Sequence, residues 1–168
     1  MLAIILIVLG FFLRIAPHAP NFTPVAAIAL FAGAYLNKRW ALIVPLALMI
    51  ASDLLIGMHN VALFTWGAFA LTALLGMLLK NKKSPVKVVS MSLISAVLFY
   101  IVSNFGVWAM GWYPRTPEGL VNCYIMGIPF LRTFTAATLF YSAGFFALYE
   151  LSAKLVKETK FSGALLAK

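Results

Sequence analysis

The sequence predicts an all-α membrane protein: a single transmembrane domain over residues 1–168, built as a six-transmembrane-helix bundle with N and C termini cytoplasmic. Three observations predict it. Hydrophobic residues make up 64% of the chain, charged residues only 10%, and the mean hydropathy is +1.01. A soluble domain is about half apolar and a quarter charged, so there is too little polar surface here to cover a water-soluble globule. Second, long apolar runs follow one another with short connections. Runs such as Ala41–Ser52 are apolar on every side and lack the period of two of a membrane barrel, which leaves helices to satisfy the backbone in lipid. Third, the net charge of +9 is unevenly laid out. Ten of the thirteen Lys and Arg fall in three clusters: Lys38 and Arg39; Lys80, Lys82, Lys83 and Lys87; Lys154, Lys157, Lys160 and Lys168. Two runs separate each consecutive pair of clusters, so all three share one face, the positive-inside pattern. That layout points to topology and anionic headgroups rather than to nucleic acid.

The spans fall at about 2–16, 22–36, 40–56, 61–79, 86–110 and 124–149. The first opens without a basic region and ends at Arg14, so it reads as a retained helix rather than a signal peptide. It and the second are shorter than the ~20 residues a crossing needs. Pro17, Pro20 and Pro24 break the helix between them, predicting a loop that dips below the surface or a broken hairpin, in either case inside a protein-lined hollow. Thr23 is the expected N-cap of the second helix, with Pro24 in its first turn. The third span carries Asp53 near its outer end. Ala29 with Gly33, Gly67, Gly76, and Ser92 with Ala96 offer small surfaces for close helix contact, within the bundle or with another membrane subunit. The loops at about 17–21, 57–60 and 111–123 lie outside. They are rich in Pro, Gly, His, Asn and aromatics.

In lipid the polar groups carry the information. Arg14, Asp53, Asn104 and Arg132 all fall in the outer half. Arg132 lies eight residues into the sixth run, about 12 Å along a helix. Asp53 either forms an ion pair with Arg14 or Arg132 or contacts a ligand directly. The arginine left over invites an anionic or strongly hydrogen-bonding ligand group. Asn104 and Trp108, four apart, share a helix face and read as a pocket wall or as a polar helix contact. His18, Asn21, Phe22 and His59 come from the outer connections. Phe99, Tyr100, Phe105, Trp112 and Tyr113 read as interfacial aromatics. Glu150 beside Lys154 reads as an i,i+4 pair.

Catalytic signatures are missing. There is no Walker A sequence, no G-x-S-x-G and no H-E-x-x-H. Asp53 has no second buried carboxylate for acid/base work. His18, His59 and Cys123 lack metal-ligand spacing, and Cys123, the single cysteine, has no partner for a disulfide within the chain. No enzyme, metal or cofactor is therefore expected.

Arg14-Ile15-Ala16-Pro17, Pro20-Asn21-Phe22-Thr23-Pro24, Leu30-Phe31-Ala32-Gly33-Ala34, Pro45, Ser52-Asp53 and Gly57 together resemble an uncharacterised family of small bacterial inner-membrane transport proteins, with the signature R-x-x-P-x-x-P-N-F-T-P. That family is similar in turn to the S components of energy-coupling factor (ECF) transporters. The resemblance implies a six-helix S-component-like bundle in the bacterial inner membrane. It also implies one substrate pocket near the outer face, capped by the 17–24 segment, with Asp53, Asn104 and Arg132 beneath. S components dock on a transmembrane subunit and two ATPases through small residues of the first helix, often A-x-x-x-A. Here only Ala3 and Gly10 are small, so the partners are an ECF-type module or none.

The expected function is uptake of a vitamin-like or similar small solute, with Arg14, His18, Asn21, Phe22, Asp53, His59, Asn104, Trp108 and Arg132 as binding residues. The alternatives are an assembly subunit that binds another protein, or a small membrane enzyme built on His59 and Asp53.

Overall fold

The computed structural model describes residues 1–81, 83–157, 159 and 162–166. Lys82, Lys160 and Lys168 of the basic clusters lie outside the described residues. Among the described residues seven helices follow in order: α1 (Leu2–Ile15), α2 (Val25–Tyr35), α3 (Lys38–Ile56), α4 (Ala62–Met77), α5 (Pro85–Ala109), α6 (Pro117–Lys157) and α7 (Ser162–Leu166). No strand occurs among the described residues. Helices α3, α5 and α6 are long and apolar enough to cross a membrane, whereas α1, α2 and α4 are apolar but shorter. Large apolar side chains such as Phe12, Leu54, Leu63, Val86 and Leu155 point outward, the surface a lipid-embedded bundle presents.

The centre of the bundle is α2. All of Val25–Ala34 is buried, as a helix apolar on every side should be, and α1, α3, α4, α5 and α6 all pack on it. Small residues allow this crowding. A Cβ on Gly33 would stand 2.1 Å from the Ala73 carbonyl oxygen, and one on Gly76 would stand 2.2 Å from that of Leu30. The expected small-residue contact of α2 is therefore internal and faces α4. Gly67, also expected at a contact, faces open space.

The two ends of the bundle differ. At one, the Tyr35 hydroxyl donates to Glu150 Oε1 at 2.5 Å, and Lys83 Nζ lies 4.8 Å from the centre of the Tyr35 ring. This gathers the end of α2, the α4–α5 loop and the end of α6, and with them the described members of the basic clusters. Glu150 thus serves Tyr35, and no ion pair with Lys154 forms among the described residues. The Met1 amine donates to the Leu165 carbonyl of α7 at 3.2 Å. At the opposite end, Trp112 of the α5–α6 turn donates to Asn60 of the α3–α4 turn at 3.3 Å.

Two boundaries differ from expectation. Helix α6 starts at Pro117, not near residue 124. Thr116 caps it by accepting from the Gly119 N–H at 3.1 Å, and Pro117 suits a first turn that needs no N–H. Glu118, Asn122 and Cys123 are thus helical rather than in a loop. Helix α2 starts at Val25, and Pro24, not Thr23, occupies the N-cap position. The Thr23 hydroxyl is turned instead toward Arg14 Nη1, at 3.5 Å.

The connection between α1 and α2 lies deep. Phe22 packs on Phe140 and Tyr141 at ring distances of 5.9 and 5.6 Å. Phe140 is only about 15 Å along α6 from Glu150 at 1.5 Å per residue, half of a ~30 Å hydrocarbon layer. Beyond that level α5 and α6 continue as walls, while Pro17–Pro20 stay exposed. The result is a bowl that opens away from the basic end, with the Pro-rich segment as its floor.

Candidate functional site: a polar latch beside an aromatic cavity

Arg14 in the last turn of α1 and Asp53 in the last turn of α3 meet at the floor of the bowl. Arg14 Nη2 lies 2.5 Å from Asp53 Oδ1, and their side chains are 16% and 3% exposed. Arg14 Nε donates to Ser52 Oγ at 2.7 Å. The other carboxylate oxygen accepts from Trp66 Nε1 of α4 at 2.8 Å, with His59 Nε2 3.8 Å away. The Ser52 hydroxyl in turn donates to the Met49 carbonyl at 2.8 Å. A buried charge is tolerable when paired and hydrogen-bonded, and here each carboxylate oxygen has a donor. The adjoining void is only about 10 Å³, at most room for one water. The group is a latch that ties α1, α3, α4 and Thr23 together, with one donor on each Asp53 carboxylate oxygen. His18 sits just above, its ring nitrogens each 3.1 Å from a carbonyl oxygen, those of Arg14 and Ala19.

The solute-sized hollow lies to one side, between the floor, α5 and α6. It measures about 290 Å³. Phe99, Phe130 and Phe134 form its apolar wall, and Asn21, Ser103 and Asn104 its polar edge. Asn104 Nδ2 donates to the Tyr100 carbonyl at 2.8 Å. Among the described residues its Oδ1 has only the Cys123 thiol, at 3.9 Å, while that thiol sits closer to the Asn104 carbonyl, at 3.3 Å. Gly127 of α6 makes space for the amide, since a Cβ there would lie 2.5 Å from Oδ1. Asn21 adopts φ +61, a left-handed conformation that asparagine tolerates better than most residues, and this brings it to the cavity. Neither Asn21 nor Ser103 has a side-chain partner among the described residues, so the edge keeps free donors and acceptors. At the bottom Phe99 is stacked between Phe134 (4.3 Å) and Phe69 (5.0 Å).

Of the predicted residues, Asn21 and Asn104 line this cavity. Arg14, Asp53 and His59 form the neighbouring latch, and His18 folds the floor. Phe22 packs against α6 outside the cavity. Trp108 turns away too, donating to the Pro114 carbonyl at 3.0 Å, so it shapes the α5–α6 turn rather than a pocket wall. Arg132 is a correction. It is exposed on the outside of α6, because Gly127 and Phe134 face inward and two residues from Phe134 is roughly the opposite side of a 3.6-residue helix. It lies about 27 Å along α6 from Glu150, far from the basic end. No uncompensated arginine therefore faces the cavity.

Sequence reasoning missed Trp66, Ser103, Gly127 and the core position of Phe99. Trp66 carried the one available signal: it stands a short turn beyond Asp53, with an indole N–H that a buried carboxylate can use.

No curated protein and no solved structure matches the chain. Residues 1–160 match a family of unknown function, DUF6580, and with nearly its whole length covered the chain belongs to that family.

Proposed function

We propose that the protein takes up a small, uncharged solute, which it holds at the far end of the bundle between Asn21, Ser103 and Asn104 on one side and the phenylalanines on the other. The observation that carries this reading is the 290 Å³ cavity with unspent hydrogen-bonding groups along one edge. Its size is at the small end of ligand pockets, and an apolar wall with a few convergent polar groups is their usual composition. The solute is uncharged because, among the described residues, no charged side chain lines the cavity, so a charged one would find no counter-ion there. A flat ring bearing amide or hydroxyl groups, as in many vitamins, suits aromatic walls with an amide edge. In this reading all six of α1–α6 cross a bacterial inner membrane with the basic end in the cytoplasm, and the bundle works as an ECF S-component-like protein, alone or with an ATPase module.

Native mass spectrometry of protein released from mild detergent tests it. The wild type should carry a reproducible small-molecule adduct that Asn104→Leu loses, while Arg115→Ala, outside the cavity, keeps it. Bare protein in the wild type, or the same adduct in Asn104→Leu, overturns the reading.

A further inference from the structure

A second and larger cavity, about 480 Å³, opens at the basic end between α5 and α6. Its mouth carries Lys83, Glu150 and Lys154, its walls are apolar, and Ser92 and Ser142 lie at its deep end. Those two hydroxyls, and that of Ser95, are buried without a hydrogen-bond partner among the described residues. Bundles avoid this, and the same molecule shows how easily. The hydroxyls of Ser52, Thr65, Thr72 and Thr138 are buried too, and each donates to a carbonyl one turn back on its own helix, at 2.7 to 2.9 Å. The three exceptions all belong to α5 or α6, the two helices that line both cavities. Ser92 and Ser95 are three apart and share a face of α5. Ser142 lies one turn beyond Thr138 on α6.

The two cavities line up. From Phe99, at the bottom of the outer cavity, to Ser92, at the top of the inner one, is seven residues, about 10 Å of helix. Ser95 lies within that interval. Between the cavities lie the Phe99–Phe134 stack, at 4.3 Å, and the buried Ser95, Ala96 and Thr138. Pro129, five residues before Phe134, lies inside α6. It lacks the N–H that would tie it to the preceding turn, so α6 can bend there and move Phe134 relative to Phe99.

We infer that the basic-end cavity is a second binding site for the same uncharged, hydrogen-bonding solute, and that the α5–α6 seam joins the two sites with Phe99 and Phe134 as the partition. The inference rests on the outer cavity being a solute site, as proposed above. The oxygens of Ser92 and Ser142 are sealed in this conformation and reach the solute at the inner site once α6 has moved, and Ser95 is the stepping point between them. The unpartnered hydroxyls are then groups kept available for a passing ligand. An acyl chain in this cavity would leave them as unsatisfied as they are now.

Thiol labelling in oriented membrane vesicles tests this without knowing the solute. In a Cys123→Ser background, Ser103→Cys should react with a small, membrane-impermeant maleimide added from the side of the α5–α6 turn. Ser92→Cys should react from the basic side. Ser95→Cys should be slow from both, and at least tenfold faster from the α5–α6-turn side once Phe99→Ala opens the partition. Phe134→Ala is the substitute should Phe99→Ala fail to give a monodisperse protein. If Ser103→Cys reacts but Ser95→Cys stays slow in a folded partition variant, the seam is not a route and only this inference falls. Should Ser92→Cys react with a lipophilic maleimide but not with the impermeant one, the inner cavity belongs to lipid and the inference again falls. An unreactive Ser103→Cys removes the outer site and the proposed function with it.

Discussion

Asp53 shows what a single residue's chemistry demands in this environment. Its carboxylate accepts from Trp66, faces Arg14 at 2.5 Å and is nearly sealed from solvent. Replacing it with Asn or Ala leaves the Arg14 guanidinium in the bundle without a counter-charge. Removing one member of a buried pair costs about 3–5 kcal/mol, whereas replacing both with apolar residues is often close to neutral. Asp53→Ala should therefore lower the melting temperature in detergent sharply, and Arg14→Met combined with Asp53→Leu should recover at least half of the loss. If the double variant is as unstable as the single, the pair is not what makes Asp53 matter. Arg132→Leu, at the lipid-facing surface, should melt like the wild type. The sequence made Asp53 legible because an acid in an apolar run needs a partner. It did not say which arginine supplies it. In a soluble helix the apolar stripe marks the inward face, but here lipid and core are equally apolar, so the run around Arg132 carries no phase. Its depth could be estimated, and the side of α6 it occupies could not.

Helices were easier to read than the residues on them. Each apolar run became a helix, because lipid leaves the backbone few other ways to satisfy itself. The errors sit at the boundaries, where local chemistry decides: Thr116 and Pro117 extend α6 by a cap and a first-turn proline, and Thr23 serves Arg14 instead of capping α2. Packing between elements was half legible. Small residues signalled close approach but not between which helices, and Gly33 and Gly67 had the same appearance. The structure separates them. A methyl group on Gly33 would strike the α4 backbone, while one on Gly67 meets nothing within 4 Å. Gly33→Ala must then push α2 and α4 apart, an overpacking cost of about 1–3 kcal/mol. Gly67→Ala should be neutral or stabilise by up to about 1 kcal/mol through helix propensity. Comparing the two melting temperatures checks the α2–α4 contact directly, and equal shifts would contradict it.

At the scale of the whole molecule, the unusual feature is a central helix that cannot span a membrane by itself. The eleven residues of α2 rise about 16 Å, half the hydrocarbon thickness. In the proposed six-span orientation its floor connection would be irregular backbone at a depth where lipid leaves N–H and C=O groups unsatisfied. That is tolerable because α5 and α6 stand taller on one side and because the exposed Pro17–Pro20 stretch can meet water in the bowl. The bowl and the outer cavity thus follow from one disparity in helix length, and the proposed uptake requires the bowl to open to the outside. Charge fixes that direction: the end that gathers Tyr35, Lys83 and Lys154 should face the cytoplasm. With Cys123→Ser as background, Asn37→Cys and Lys80→Cys should react with an impermeant thiol reagent only from the cytoplasmic side, and Pro20→Cys, Met58→Cys and Arg115→Cys only from the other. Lys80→Cys and Arg115→Cys reacting from one side would mean that α5 does not cross. Pro20→Cys reacting with Asn37→Cys would mean that α2, short as it is, does not separate the two compartments, and the bowl would then have no floor.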